Sequence, residues 1–402
     1  MAEGALQFKH SDNSWKELEI PEGCDDAKKE EIEANRQKLS DILLQALQMP
    51  NLAFFAGSGT SLGETNAPSM WKLWQFAMVT NPDDKECEEL TPEAERIVSI
   101  VNYSLMKPNI EHFLSNCDAY LNIYEDDTQV KQFIIEVKKI ILNKCTLDFD
   151  ETEHDISTYE QLINKLSKRR ARDPRLKVFT TNYDMCFETA ASNLGKVVVD
   201  GFSYTRERKF DGKYFQYDIV QRDSEKHDFI EGIFQLYKLH GSVSWERSEA
   251  NPSEVYEKLN PDPERAAIIY PAKNKYQQAF IQPHLELLAR FFDYLRLPNA
   301  CLVVSGFGFK DDHLSEPICA AIKSNPSLKL IIADIEAYKH IENLRIDSSS
   351  YWQEFKNLAE KGADITFVNA DFKDFVVLIP DLQSLTPAEK LAKAVQNLNR
   401  RT

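Results

Sequence analysis

NLAFFAGSGTSLGETNAPSMW, residues 51–71, opens with four apolar residues, Leu52 to Phe55, that run without a polar break into Ala56-Gly57-Ser58-Gly59-Thr60-Ser61. An unbroken apolar run of this length suits a strand buried on both faces. The loop behind it is made almost wholly of glycine and small hydroxyl residues, so its use is to bring backbone close to something. Two readings stand side by side. In one, Gly57 and Gly59 let backbone N–H groups approach a pyrophosphate, Ser58, Thr60 and Ser61 add hydroxyl donors, and a helix starting near Ser61 presents its positive end to the anion. In the other, the loop is an ordinary tight turn from strand to helix. It is not a P-loop, because no Lys follows the glycines, and it departs from G-x-G-x-x-G because Gly63 falls one residue late.

Five more short apolar runs have the same form, each closed by small or polar residues: LKVFTTNYD (176–184), FQLYKLHGS (234–242), CLVVSGFG (301–308), LKLIIAD (328–334) and ADITFVNAD (363–371). Helical patterns lie between many of them, as at 27–48, 156–170 and 278–296. Alternating strands and helices of this kind predict an α/β fold, a doubly wound, mostly parallel Rossmann-like sheet. The interval from about 85 to 170 differs in kind. TPEAERIVSIVNYSLM and DTQVKQFIIEVKKIILNKC carry apolar residues at three- and four-residue spacing, the mark of amphipathic helices, so this block reads as a helical insertion. The expected organisation is an N-terminal arm and helix over 1–45, one domain over 46–380 that contains the insertion, and a C-terminal helix or tail over 381–402. Residues 203–232 and 246–275 are polar and mixed, suiting long loops or short hairpins.

The chain has 402 residues and a formal charge of −16, from 64 acidic and 48 basic side chains. Direct binding of duplex DNA is not expected of such a balance, because phosphate neutralisation by cations supplies most non-specific affinity. Seven dispersed cysteines form no C-x-x-C pair, which argues against a zinc ribbon or disulfide framework and for reduced thiols in a cytoplasmic protein. No apolar stretch of signal-peptide length opens the chain, and no run reaches the roughly 18 residues of a membrane span.

Ligands of open α/β sheets bind outside the carboxyl ends of the strands, so the residues that follow each run carry the functional information. They are Gly57 to Ser61, Thr180-Thr181-Asn182-Tyr183-Asp184, His240-Gly241-Ser242, Ser305-Gly306-Phe307-Gly308 and Ala333-Asp334. An extended backbone would point Asn182 and Asp184 to one side; both types also serve as helix caps and Asx-turns. His240 is the one of eight histidines placed at an apolar strand's end before a glycine, where an imidazole can face a substrate as general base.

In this order, A-G-S-G-T-S, T-N-Y-D, L-H-G-S and a late S-G-F-G resemble the motif set of the sirtuin-like NAD-binding family, over about residues 45–375. VVSGFGFKDDHL (303–314) and IEHFLS (110–115) look more like the bacterial sirtuin-like NAD hydrolases of antiphage defence. The resemblance implies that Gly57, Ser58, Gly59, Thr60 and Ser61 hold the pyrophosphate and nearby ribose. It implies that Asn182 positions the nicotinamide ribose or the attacking water, that Asp184 contacts the nicotinamide amide, and that His240 acts on a ribose hydroxyl or on the water. Ser305 and Gly306 would sit near the adenosine half, and Asp334 would accept from a ribose hydroxyl.

Two departures from deacylating sirtuins stand out. The four-cysteine zinc module after H-G is missing, so no zinc is expected, and G-I-P-D-F-R is replaced by APSMWKLW (67–74), with no matching Arg. The resemblance therefore implies NAD as a substrate for hydrolysis to nicotinamide and ADP-ribose. It further implies a homo-oligomer under the control of a HerA-type ATPase on a separate chain, acting in antiphage defence by abortive infection. A non-catalytic NAD or ADP-ribose sensor and an NAD-dependent deacylase or ADP-ribosyltransferase remain open alternatives.

Overall fold

A computed structural model describes residues 5–11, 14–84, 87–149, 153–169, 173–222, 227–269 and 281–381. The strands, in chain order, are β1 (Gln7–His10), β2 (Lys16–Glu17), β3 (Asn51–Ala56), β4 (Leu176–Thr180), β5 (Val198–Val199), β6 (Val220–Arg222) and β7 (His227–Phe229). They continue with β8 (Phe234–Lys238), β9 (Gly241–Arg247), β10 (Val255–Glu257), β11 (Ala266–Ile268), β12 (Ala300–Ser305), β13 (Lys329–Asp334) and β14 (Ile365–Asn369). Nine of them form one sheet in the order β2-β1-β14-β13-β12-β3-β4-β8-β5. From β14 to β5 every pairing is parallel, and β1 and β2 close one edge in antiparallel fashion. All six apolar runs are neighbouring strands of this sheet. From β3 the chain passes to β4, then to β5 at the far edge and back to β8 between them; it next crosses to the other side of β3 and winds out through β12, β13 and β14. The order reverses between β3 and β12, which makes their carboxyl ends the switch point of the fold.

Side chains alternate along each strand, and each face is covered by helices. On one face Ala53, Phe55, Phe179, Leu302, Val304, Leu330 and Ile332 pack with helices His284–Leu295, Asp312–Ser324 and Ser350–Glu360. On the other, Leu52, Phe54, Val178, Cys301, Val303 and Ile331 pack with helices Asp26–Leu47, Ser157–Leu166, Cys186–Asn193 and Phe372–Leu378. With both faces covered, the central strands β3, β12 and β13 read as near-continuous apolar runs.

The helical insertion builds a third core together with Val243 of β9, Ile268 of β11 and the helix Met70–Met78, which precedes the interval read as insertion. Helices Met70–Met78, Pro92–Ile100, Ile110–Leu121 and Thr128–Cys145 gather Leu73, Trp74, Ile97, Phe113, Val130, Phe133 and Ile141. Helix Ser157–Leu166 lies inside the sequence interval read as insertion but packs on the sheet. Residues 7–17, read as part of a separate arm, extend the sheet through β1 and β2. The mixed region after β4 holds the β6–β7 hairpin and a small sheet in the order β10-β9-β11. Of the helix or tail expected over 381–402, residues 382–402 lie outside the described residues.

One local expectation is corrected. No α-helix starts near Ser61; a single 3₁₀ turn, Ser58–Thr60, follows β3, and the next α-helix starts at Met70 with Ser69 accepting from the Lys72 N–H. Pro68 disfavours helical backbone at Ala67, and Ser69 caps the helix that follows. The α-helix that follows β3 therefore does not present its positive end at Ser61.

In the insertion, the Phe113 ring meets Trp74, Tyr103 and Phe133 edge-on, with centroids 5.4 to 6.0 Å apart. Phe113→Ala leaves a cavity at that junction and is expected to cost about 3–5 kcal/mol in urea unfolding; a loss below about 1 kcal/mol would show that the insertion core is not packed this way.

Candidate functional site

The switch point is made of two loops that interlock. Gly57 N–H donates to the Ser305 carbonyl at 2.9 Å, Gly59 N–H to the Gly306 carbonyl at 2.9 Å, and Gly306 N–H to the Ala333 carbonyl at 3.1 Å. The loop after β3 is thereby tied to that after β12, and this one to the end of β13. Glycine is required for the approach. A Cβ on Gly57 would lie 2.5 Å from the Gly306 oxygen, and one on Gly306, whose φ is +63°, would lie 2.6 Å from the Thr60 nitrogen. Thr60 and Ser61 N–H groups donate back to the Gly57 and Ser58 carbonyls. The amides of Gly57, Gly59, Thr60 and Ser61 are thus engaged within the protein. In this conformation the glycines serve loop-to-loop contact.

Beneath the loop lies a buried polar knot. The Asn182 amide donates to the Gly57 carbonyl (3.1 Å), the Thr60 hydroxyl (3.1 Å) and the Ser61 hydroxyl (2.9 Å). Ser61 in turn donates to Asp184 Oδ2 at 2.8 Å, while Asp184 Oδ1 accepts from the Cys186 N–H at the start of its helix. Asn182 and Asp184, 8% and 7% exposed, do share one side, as the spacing predicts, and Asp184 also serves as an Asx-turn acceptor. From helix Ser157–Leu166, the Tyr159 hydroxyl lies 2.8 Å from Ser61 Oγ and 3.0 Å from Thr60 Oγ1. Burial pushes the Tyr159 phenol far up, so it stays neutral.

Lys238, the last residue of β8, fastens the T-N-Y-D turn from below. Its buried ammonium donates to the Asp184 carbonyl, the Tyr183 carbonyl (3.3 Å), the Ser242 hydroxyl (2.9 Å) and Glu188 Oε1 (2.9 Å). Burial raises the Glu188 carboxyl, and the Lys238 charge opposes that rise. A buried ammonium needs such a set of partners, because removing one member strands the other charge.

His240 stands apart from this knot. Its Nε2 lies 3.1 Å from Nε2 of His313, with ring centroids 5.2 Å apart and planes 25° off parallel. The pair is buried, at 3% and 6% exposure. Leu239 N–H donates to the Thr180 carbonyl, which holds the His240 turn against the end of β4. Gly241 has a different use from the one its position suggests. Its φ is +89°, and a Cβ there would lie 2.1 Å from the Ala267 oxygen, so the glycine admits β11 beside β9.

At the adenosine side of the expected site, Ser305 Oγ is buried with no hydrogen-bond partner among the described residues. The S-G-F-G-F segment is anchored by its rings: Phe307 packs on Phe55 and Phe309 on Trp352 and Phe355. Phe309 is held at φ +53°, a conformation that costs a bulky residue on the order of 1–3 kcal/mol and that its fully buried ring offsets. Asp334 ends β13 and accepts from the Glu336 N–H at 2.8 Å; burial pushes its carboxyl up to about 6, against the pull of Arg345. Among the described residues no cluster of three or more His, Cys, Asp or Glu could hold a metal ion, and no helix is long and apolar enough to cross a membrane.

Tyr159, Lys238 and His313 were not singled out by the sequence. Tyr159 and Lys238 sit inside apolar-looking patterns whose packing role hides the polar tip. His313 falls seven residues after the Gly306 loop begins to turn, on a helix whose tilt toward β8 no local pattern encodes.

A family model described as SIR2-like domain matches residues 176–355. That span holds Asn182, Asp184, His240, Ser305, Gly306, His313 and Asp334; the glycine loop after β3 lies outside it and is joined to it by the fold. No curated protein matches the chain. Solved structures similar to it include a Sir2 homologue crystallised as an NAD complex, 11% identical, with 84% of this chain and 90% of that chain covered at a TM-score of 0.40. A mutant Sir2 homologue in complex with ADP-ribose is 12% identical, with 84% and 92% covered, also at 0.40.

Two measurements check this geometry. Gly57→Ala drives a methyl into the Gly306 carbonyl, and a loss of about 1–3 kcal/mol is expected in urea unfolding; unchanged stability would contradict the interlock. The raised folded value of Asp334 means that its contribution to stability is fully present below about pH 4 and is lost as pH rises through about 6. Asp334→Asn keeps an acceptor for Glu336 N–H, so it is expected to be more stable than the parent at pH 8 by on the order of 1–2 kcal/mol, with the advantage gone at pH 4. An advantage that does not change with pH would refute the burial of this carboxyl.

Proposed function

We propose that this chain is an NAD+ glycohydrolase that cleaves NAD to nicotinamide and ADP-ribose. The observation that carries the reading is the gathering of Asn182, Asp184, Ser61 and the interlocked glycine loops at the switch point, with His240 on the next strand end. The SIR2-like match over 176–355 and the order of the motifs support it. Breaking the glycosidic bond passes through an oxocarbenium-like transition state and needs a held ribose and a placed water. In this reading Asn182 orients the ribose or the water, Asp184 holds the carboxamide, and His240 accepts the proton of the water. Ser305, whose hydroxyl has no partner among the described residues, and Asp334 bind the adenosine half, and Gly57 to Ser61 line the pyrophosphate.

Loss of cellular NAD is toxic, so the reading includes control from outside the chain. The resemblance of VVSGFGFKDDHL and IEHFLS to defence hydrolases supports a homo-oligomer held silent until a HerA-type ATPase partner signals infection. One observation favours a second reading, a sensor that binds NAD or ADP-ribose without turnover: four loop amides and the Asn182 and Asp184 side chains are already engaged with the protein itself.

Nicotinamide release from NAD, followed chromatographically with and without the product of the neighbouring gene, separates these readings. Release is expected in at least one condition, and Asn182→Ala or His240→Ala is expected to lower kcat/KM by about 10²-fold or more. Calorimetric binding without release would favour the sensor, turnover of an acylated peptide would favour a deacylase, and intact NAD in every condition would contradict hydrolysis.

A further inference from the structure

His240 and His313 come from opposite halves of the doubly wound sheet. His240 follows β8, and His313 sits in the first turn of the helix Asp312–Ser324 that follows β12. In the sheet those two strands are separated by β3 and β4, a distance of roughly 14 Å at the usual strand spacing. The Ser305–Asp311 segment, anchored by Phe307 and Phe309, carries His313 back over the ends of β3 and β4. The two Nε2 atoms then meet at 3.1 Å in a buried setting.

An imidazole nitrogen is either a donor or an acceptor, so this contact holds only if one ring carries hydrogen on Nε2 and the other does not. Two neutral rings so placed adopt opposite tautomers. One further proton can be accommodated, with a single N–H left between the rings; a second would put two like charges in contact. The pair is thus built to hold one proton, and each ring fixes the orientation of the other. In other catalytic sites the group that orients a histidine is often a carboxylate, which also stabilises the imidazolium when it forms.

We propose that His313 is the proton partner of His240, a positioning residue that fixes its tautomer and shares the proton it acquires. The proposal rests on the reading of His240 as the base. Water passes one proton to His240, its oxygen bonds to C1′ of the ribose, and the C–N bond breaks with its electron pair leaving on nicotinamide. The positive charge lost by the pyridinium reappears on the imidazole pair, where the Nε2–H···Nε2 bond spreads it.

The test uses His313→Leu and His313→Gln in the full-length protein, the glutamine amide replacing the imidazole Nε2 as hydrogen-bond partner. Ring-nitrogen chemical shifts of His240, assigned by comparison with His240→Gln, report its tautomer without any need for turnover. The parent and His313→Gln are expected to show the same tautomer, and His313→Leu a changed tautomer population. In nicotinamide release, His313→Leu is expected to lower kcat by roughly 10²-fold with KM nearly unchanged, and His313→Gln to recover most of the loss.

Identical His240 shifts in the parent and His313→Leu would overturn the proposal, and so would an unchanged kcat. If the parent releases no nicotinamide, hydrolysis fails as a reading and the shifts alone decide: movement in His313→Leu only supports the pair, and no movement overturns it. Should His313→Leu not fold, His313→Asn, whose amide falls short of His240, takes its place with the same expectations.

Discussion

Backbone contact between two glycine loops, Gly57–Gly59 and Ser305–Gly306, is the constraint on which the rest of the site depends. Parallel strands β3 and β12 run side by side and then have to part, because the chain beyond each goes to a different face. In this fold they stay joined for two residues past the sheet, through the Gly57 and Gly59 N–H groups. That continuation is possible only where no Cβ intervenes. It fixes the height of the glycine loop above the sheet and so the position of Thr60 and Ser61, to which Asn182, Asp184 and Tyr159 are bonded.

Each face of the sheet supports one half of the site. The layer built on helix Ser157–Leu166 supplies Tyr159 and, through the helix Cys186–Asn193, the Asp184 turn. The opposite layer supplies the Phe307 and Phe309 anchors and the helix that carries His313. Lys238 and Glu188 tie the T-N-Y-D turn to the L-H-G-S strand between them. A buried ion pair contributes little to stability in net terms, so its use at this place is positional. Burial also keeps titration away from the apolar layer: His284, whose Nδ1 faces the Leu239 carbonyl, is held down at about 3 and stays neutral.

Much of the fold was legible because strands buried on both faces need unbroken apolar runs, and all six runs became neighbouring strands. The polar residues behind them were legible because they follow strand ends. What was not legible depends on long-range geometry. β1 and β2 are too short to carry a pattern, and β1 pairs with β14 at the far end of the chain, with β2 added outside it. Tyr159 and Lys238 read as packing residues until the fold turns their polar tips toward Ser61 and the Asp184 carbonyl. Gly241 and the glycines of the β3 loop signal close approach correctly, yet sequence cannot say whether a ligand or another strand is the neighbour. Where one reading of the loop starts a helix near Ser61, the chain makes a single 3₁₀ turn, and the next α-helix begins only behind the Ser69 cap.

Hydrogen exchange of the backbone amides, measured with and without ADP-ribose, tests the site most directly. The ligand is the portion of NAD that both hydrolysis and sensing must hold, and the method reads position without requiring turnover. Slower exchange confined to residues 57–61, 181–184 and 305–308 is expected if the switch point is the binding crevice. Unchanged exchange there, or protection located instead in the helical insertion, would contradict it.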